Sequence, residues 1–439
     1  MSEAASGVLG FVAMLLLIGV RMPIGLSMLV VGSAGFIHLS GWAAFLNYMK
    51  STPYFLFANY TLSVIPLFIL MGALAERSGL STRLFSAAAS VIGRRRGGMA
   101  MAVIGACTGF GAICGSSVAT AATFARAALP ELRRYKYAPG FATGVIAVGG
   151  TLGILIPPSV ILIVYAITTE QNIAKLFQAA LVPGLLATLF YCVVIEIVVR
   201  RDAAAGPAGA IAEKGERLRL LLAVWPVILV AIVVLGGIYG GIFTPTEGAS
   251  VGAVAMLVIG IAQRTLGWAE CTKALVQTAD TSAMIFVILL GSEVFNAFLA
   301  RSQLPLRAAE IIGTIGLSPY VVLAMLLAFY VVLGAVMDEL AMILLTLPVF
   351  FPIVASLNFG LPVEETAIWF GILVLIVVGV GLTAPPIGLN VFVVSSIARD
   401  VPIIQTYAGV LPFVAADIVR LSLVILFPGL ALFMVRWLN

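Results

Sequence analysis

Two apolar stretches of this chain are interrupted in the same way. One reads GGTLGILIPPS over residues 149–159, the other GVGLTAPPIGLN over residues 379–390. Laid over each other without gaps, Gly153, Pro157 and Pro158 fall on Gly381, Pro385 and Pro386. A proline inside a helix removes a backbone donor and clashes with the preceding turn, so nearby carbonyls lose their partners. In hydrocarbon such carbonyls are tolerated only where they face protein or a watery cavity. Each stretch is therefore expected to be a helix broken inside a membrane, an arrangement that builds ion and substrate sites in many membrane proteins. A second reading, a small-residue surface that lets helices approach closely, stands beside it for the run Gly105–Gly111.

The composition fixes the solvent. Of 439 residues, 62% are hydrophobic and 10% charged. Soluble domains carry about 25% charged residues, so a polytopic membrane protein is expected. At about 20 apolar residues per span, the length allows on the order of a dozen crossings. The net charge of +5 is spread over loops, as in a membrane protein, and is not a nucleic-acid signal. The four cysteines (Cys107, Cys114, Cys192, Cys271) lie in or beside apolar segments without CxxC spacing, so they read as buried hydrophobes. The N-terminus has no basic region or cleavage site and reads as an uncleaved first span.

In order, residues 8–20 and 22–39 are two apolar segments. Trp42, Tyr48, Lys50 and Tyr54 resemble interfacial anchors, and residues 55–75 make a third span with Pro66 near its middle. Residues 80–93 suit a helix lying along the interface. Residues 98–132 are apolar but bracketed by Arg94–Arg96 and by Arg133, Arg134 and Lys136. A segment with both ends on one side is a re-entrant hairpin, with its tip near Cys114–Ser117. Residues 138–167 cross with a break at 150–158, and 173–199 cross back. The polar stretch 200–219 separates two halves.

The second half repeats this order. Spans are expected at 220–240, 246–263 and about 274–299, an interfacial piece at Arg301–Ile312, a hairpin at 319–357 with its tip at Gly334–Glu339, a broken span at 366–397, and an ending at 403–436. The first hairpin is followed by basic residues, the second by Glu364 and Glu365, as an inverted repeat with one hairpin entering from each side requires. A periplasmic N-terminus places most of the 24 basic residues in the cytoplasm. The expected fold is an all-α polytopic membrane protein with inverted repeats, two re-entrant hairpins and two broken transmembrane helices.

Several longer strings carry a family resemblance. They are GSSVATAATFARAALPEL at 115–132, GGTLGILIPPSVILIVYAITTEQNIAKLF at 149–177, GIFTPTEGA at 241–249 and GLTAPPIGLNVFVV at 381–394. The chain resembles, from about residue 8 to 436, the large membrane (permease) subunit of tripartite ATP-independent periplasmic (TRAP) transporters, the DctM-like family. The resemblance implies an elevator-type transporter of the ion transporter superfamily, in which a scaffold holds a mobile transport domain. On that division, 1–97 is scaffold and arm, 98–168 transport domain, 169–315 scaffold with linker and second arm, 316–398 transport domain, and 399–439 a C-terminal span. It also implies sodium-driven uptake of a small organic acid (a C4-dicarboxylate by base rate) across a bacterial inner membrane. The implied partners are a periplasmic solute-binding protein (DctP-like), a separate small membrane subunit (DctQ-like) and the lipid bilayer.

Sodium takes oxygen ligands, including carbonyls freed by unwound helix. Ser116, Ser117, Gly149, Gly150 and Thr151 are candidates at the first tip and break, with the carbonyls ahead of Pro157. Gly334, Asp338, Gly381, Thr383 and Ala384 form the symmetric set. Asp338 is an intramembrane acid and thus a functional candidate by default; its other reading is a helix cap. Helix N-termini at the tips favour a substrate carboxylate. Candidate substrate contacts are Ser117, Thr151, Pro157 and Asn390, the last of which could equally serve packing. Glu247 is expected to cap a helix, Arg126 to form a structural ion pair, and Asp417 and Arg420 to pair with each other.

Three other function classes were weighed. A self-sufficient divalent-anion/sodium symporter shares this architecture. An intramembrane serine enzyme needs a base, and the one histidine, His38, is far in sequence from Ser116. GxGD, HExxH and P-loop motifs are missing from the sequence. A channel fits the paired broken helices less well than alternating access.

Overall fold

A computed structural model of the chain describes residues 3–209 and 214–438. Among these residues all regular structure is helical. The first half runs α1 (Glu3–Gly19), α2 (Ile24–Ser40), α3 (Trp42–Phe57), α4 (Val64–Arg77), α5 (Leu80–Ile92), α6 (Gly98–Cys114), α7 (Ser117–Arg134), α8 (Pro139–Leu155), α9 (Val160–Thr168) and α10 (Ile173–Arg201). The second runs α11 (Lys214–Leu222), α12 (Trp225–Tyr239), α13 (Pro245–Ala262), α14 (Trp268–Arg301), α15 (Leu304–Ile315), α16 (Pro319–Gly334), α17 (Glu339–Ser356), α18 (Val363–Gly381), α19 (Leu389–Ile397), α20 (Ile403–Leu426) and α21 (Gly429–Leu438). Among the described residues, eight helices are long and apolar enough to cross a membrane, or nine counting α8 and α9 as one span bent by 44°. Part of the expected linker 200–219, residues 210–213, lies outside the described residues.

The packing repeats between the halves. Helix α2 packs on α14, and α13 on α4; α1 lies beside α2 as α12 lies beside α13. The hairpin α6–α7 packs on α8, as α16–α17 packs on α18. Each short second half of a broken helix reaches the opposite hairpin, α9 meeting α17 and α19 meeting α7. This is the contact pattern of two interlocked repeats. The α2–α14 crossing is close because Gly32 lets the helices touch. A Cβ there would lie 2.7 Å from the Phe295 backbone nitrogen, a small-residue contact typical of membrane helices.

Both return helices join the broken helices. Tyr191 of α10 donates to Asp417 of α20 at 2.8 Å. Thr143 of α8 bonds Thr406 of α20 at 2.8 Å. The Trp369 indole of α18 donates to the Val424 carbonyl at 2.9 Å. At one end Lys175 pairs with Glu364 at 2.5 Å, and Arg436 with Glu365 at 2.6 Å. The expected pair Asp417–Arg420 is present at 2.8 Å and fully buried.

Four boundaries differ from the sequence reading. The anchor cluster around Trp42 lies on a complete helix, α3. The third span, expected at 55–75, starts later, with the 3-10 turn Tyr60–Ser63 that leads into α4, so Pro66 sits in the first turn of the α-helix. Its missing N–H there would have had no partner in any case. The first break is narrower than 150–158: α8 continues to Leu155, because Gly149, Gly150 and Gly153 remain helical and only Pro157-Pro158 stops it. The C-terminal stretch is two helices rather than one, parted at Phe427–Pro428.

Candidate functional site

Each hairpin tip is pressed against the break of its own repeat. Gly115 ends α6 in the left-handed region (φ 66°), which suits glycine. A Cβ on it would approach the Pro158 carbonyl to 2.8 Å. On Gly153, a Cβ would lie 2.5 Å from the Ser116 carbonyl. In the second repeat, a Cβ on Gly381 would lie 2.7 Å from the Gly334 Cα. The Ala335 carbonyl accepts from the amides of Ile387 and Gly388 at 3.2 and 3.3 Å. The two tips thus fill the gaps that the two Pro-Pro pairs open.

Three helices start here, each with a side-chain cap. Ser116 accepts from the Ala119 amide, Ser159 from Leu162, and Asp338 from Leu340 and Ala341. Capping leaves the other first-turn amides of α7, α9 and α17 free to meet a ligand, and the helix dipoles favour an anion. These three starts border one cavity of about 110 Å³. Its polar wall is Ser116, Glu339, Glu76 and Gln277, with Thr281 beside them. Glu76 comes from α4, and Gln277 and Thr281 from α14. The cavity therefore lies where the tips and the first break meet the α4 and α14 pair.

The structure brings most expected residues together, in two groups. Ser117 is buried and accepts from the Asn390 amide at 2.7 Å; the same amide donates to the Ala147 carbonyl at 3.1 Å. Gly150 touches both Ser117 and Asn390. Gly334 and Gly381 are in contact, while the Thr383 hydroxyl donates to Gly379 and Val380 carbonyls, and Ala384 lies under Gly388. Gly149 faces Cys107 instead of the tip. The Thr151 hydroxyl bonds the Val148 carbonyl and Tyr191. Pro157 sits in a cis bond to Pro158, as Pro385 does to Pro386. Of the expected residues, only Ser116 is on the described wall of the cavity. Glu76, Gln277 and Thr281 are not among the residues singled out from the sequence, and Glu339 enters there only as the end of the second tip. The polar run TADTS at 278–282 inside an apolar helix was the available signal.

An oxygen-liganded cation fits the first group. The Asn390 Oδ1 is buried without a hydrogen-bond partner among the described residues, beside the Ser117 hydroxyl. In the second group, both Asp338 oxygens accept capping bonds, and the remaining donors are carbonyls and the Thr383 hydroxyl. Among the described residues no group of three or more His, Cys, Asp or Glu could hold a metal ion, so any ion here would be held mainly by carbonyls, hydroxyls and amide oxygens.

The remaining singled-out residues are structural. Thr244 and Glu247 form a capping box at the start of α13. Arg126 pairs with Glu76 at 3.6 Å, which ties the arm of the first hairpin to α4 beside the cavity. Arg77 bonds Glu270 and Gln277, both at 3.1 Å, and ties α4 to α14.

Comparison with known proteins is consistent with this geometry. Residues 11–430 match the model of the family described as "Tripartite ATP-independent periplasmic transporter, DctM component". The C4-dicarboxylate TRAP transporter large permease protein DctM of Pseudomonas aeruginosa is 36% identical over 87% of this chain and 87% of its own length. The sialic acid TRAP transporter large permease protein SiaM of Vibrio cholerae is 30% identical over 94% of each. Among solved structures, the Alcanivorax borkumensis YdaH transporter superposes with a TM-score of 0.62 at 17% identity, over 88% of this chain and 90% of that one. At that identity the likeness concerns the fold alone.

Proposed function

The chain belongs to the DctM-component family of tripartite ATP-independent periplasmic transporters, and from that premise we propose that it couples import of a small organic acid to sodium by an elevator movement. It is a multi-pass membrane transporter subunit, not an enzyme. Its family works with a substrate-binding protein and a small membrane subunit. The substrate proposed for this chain is a C4-dicarboxylate-like acid, the substrate class named for its Pseudomonas relative. The location is the bacterial inner membrane, with the N-terminus in the periplasm on the distribution of basic loops.

One observation carries the mechanism: three capped helix starts, from both hairpins and one broken helix, border a single cavity against α4 and α14. Such starts attract a carboxylate through free amides and dipoles. Sodium ions would be held by Ser116, Ser117 and Gly150 near the first tip, from which Gly149 is turned away towards Cys107. Gly334, Asp338, Gly381, Thr383 and Ala384 would hold them near the second. A bound ion supplies positive charge next to the carboxylate. Asn390 would link the two repeats, its amide bonding Ser117. Thr151 and Pro157 would act by shaping the break that carries these carbonyls.

The proposed moving unit is larger than residues 98–168 and 316–398. It includes α10, α20 and α21, because their hydrogen bonds and ion pairs run to α8 and α18. The proposed scaffold is then α1–α4 with α12–α14, and α5 and α15 are arms.

The test is uptake of labelled C4 acids (succinate, malate and aspartate) into proteoliposomes holding this chain with its small subunit. Uptake that requires both a sodium gradient and the cognate binding protein is expected. Uptake with sodium alone would move the chain to self-sufficient symporters. Uptake indifferent to sodium would end the coupling proposal.

A further inference from the structure

The cavity contains a carboxylate that nothing in the fold uses. Glu339 opens α17 and is 7% exposed, and it lines the cavity. Its Oε2 is buried with no hydrogen-bond partner among the described residues. The neighbouring Asp338 cannot be exchanged for it, since both Asp338 oxygens cap α17. Glu76 across the cavity is already engaged, with Arg126 at 3.6 Å and the Gln277 amide at 3.4 Å. No Arg, Lys or His is among the described residues lining the cavity.

A buried acceptor left unpaired costs free energy, more so when it is charged. A donor arriving with a ligand removes that cost. A carboxylate placed by the starts of α7 and α9 would leave the rest of the molecule facing Glu339 at the start of α17. Resting on the reading of this cavity as the transport site, we propose that Glu339 recognises a hydroxyl or ammonium group on the transported acid. The cavity then takes hydroxy- or amino-substituted carboxylates in preference to the unsubstituted acid. A plain dicarboxylate leaves Oε2 unpaired. A site built to bond a polar group rejects the analogue that lacks it strongly, because its own group is left unpaired.

Succinate, malate and aspartate differ only in bearing hydrogen, hydroxyl or ammonium at one carbon. The experiment measures the rise in melting temperature that each gives the purified permease with its small subunit in sodium-containing detergent buffer. Binding to the native state raises stability, and no binding protein is present to impose its own selectivity. Malate or aspartate is expected to bind about 10-fold or more tightly than succinate, the scale of a hydrogen bond to a charged group. Whichever binds more tightly identifies the donor as hydroxyl or ammonium. Glu339→Gln is expected to weaken that compound about 10-fold or more and close the gap to succinate. Glu339→Asp, which keeps the carboxyl group, retains part of it. Succinate binding as well as the others would overturn the proposal. So would equal weakening of all three by Glu339→Gln, the mark of an ion-holding or structural role, or no stabilisation by any of them. The broader reading fails differently, through sodium-independent uptake in proteoliposomes.

Discussion

The side-chain amide of Asn390 donates to the hydroxyl of Ser117 at 2.7 Å, so the second broken helix is bonded to the tip of the first hairpin. The two residues are 273 positions apart, and both are fully buried. Their bond couples the two repeats, because a movement of the first tip is felt directly by the second broken helix.

Asn390→Ala removes two bonds, to Ser117 and to the Ala147 carbonyl. A buried hydroxyl and carbonyl then lose a donor, which costs about 1–3 kcal/mol each at most. Sodium-dependent uptake is expected to fall about 10-fold or more, with a higher sodium requirement. Ser117→Ala should raise the sodium requirement too. An unchanged sodium dependence in both variants would remove the first group from the ion site.

Asp338 caps α17, and a pair of substitutions separates that role from the sodium-holding role proposed for it. Its carboxylate caps α17 through the Leu340 and Ala341 amides. Serine can still cap, whereas alanine loses about 1 kcal/mol of helix stability. Asp338→Ser is expected to keep the melting temperature yet need more sodium for half-maximal uptake. Full restoration of both by serine would leave Asp338 as a cap and nothing more.

Much of this fold was legible because prolines and caps act locally. Pro157-Pro158 and Pro385-Pro386 mark the breaks wherever the chain packs, and the charge brackets around residues 98–132 mark a hairpin. The cavity wall was not legible in the same way. Glu76 and Gln277 face each other although they are 201 positions apart; Glu76 lies at the end of an apolar helix and Gln277 in the polar first part of α14. Sequence spacing shows that such a residue is polar, not what it faces. Gly149 and Gly150 illustrate the same limit: adjacent and alike, they face Cys107 and Ser117 respectively. Pro66 misled for a related reason, since a proline breaks a helix in its interior but is tolerated in its first turn.

The Arg126–Glu76 pair joins the arm of the first hairpin to α4, across the boundary between the proposed moving and fixed parts. The arginine side chain is 65% exposed and the contact is 3.6 Å long. Exposed pairs contribute about 0–1 kcal/mol. Arg126→Ala is therefore expected to shift the balance between the two positions of the moving unit by less than about 5-fold. Accessibility of a cysteine placed at Ala119, on the cavity wall, reports that balance. A change of several hundred-fold would make the pair a lock rather than a contact.

The buried pair Asp417–Arg420 makes the strongest stability prediction. Arg420 is fully buried, contacts Asp417 at 2.8 Å and donates to the Pro183 carbonyl of α10 at 3.4 Å. Asp417 also accepts from Tyr191, whose hydroxyl lies 3.2 Å from that of Thr151 on the first broken helix. Removing one partner strands a buried charge, which costs about 3–5 kcal/mol, whereas replacing both by apolar residues of similar size is often neutral. Arg420→Met is expected to abolish folded protein in the membrane or lower its melting temperature steeply. The double change Arg420→Met with Asp417→Leu should recover most of that loss. Recovery of uptake is a separate matter, because Asp417 also holds Tyr191 against Thr151. If folding returns without transport, the network serves to position the break; if both return, its role is packing alone.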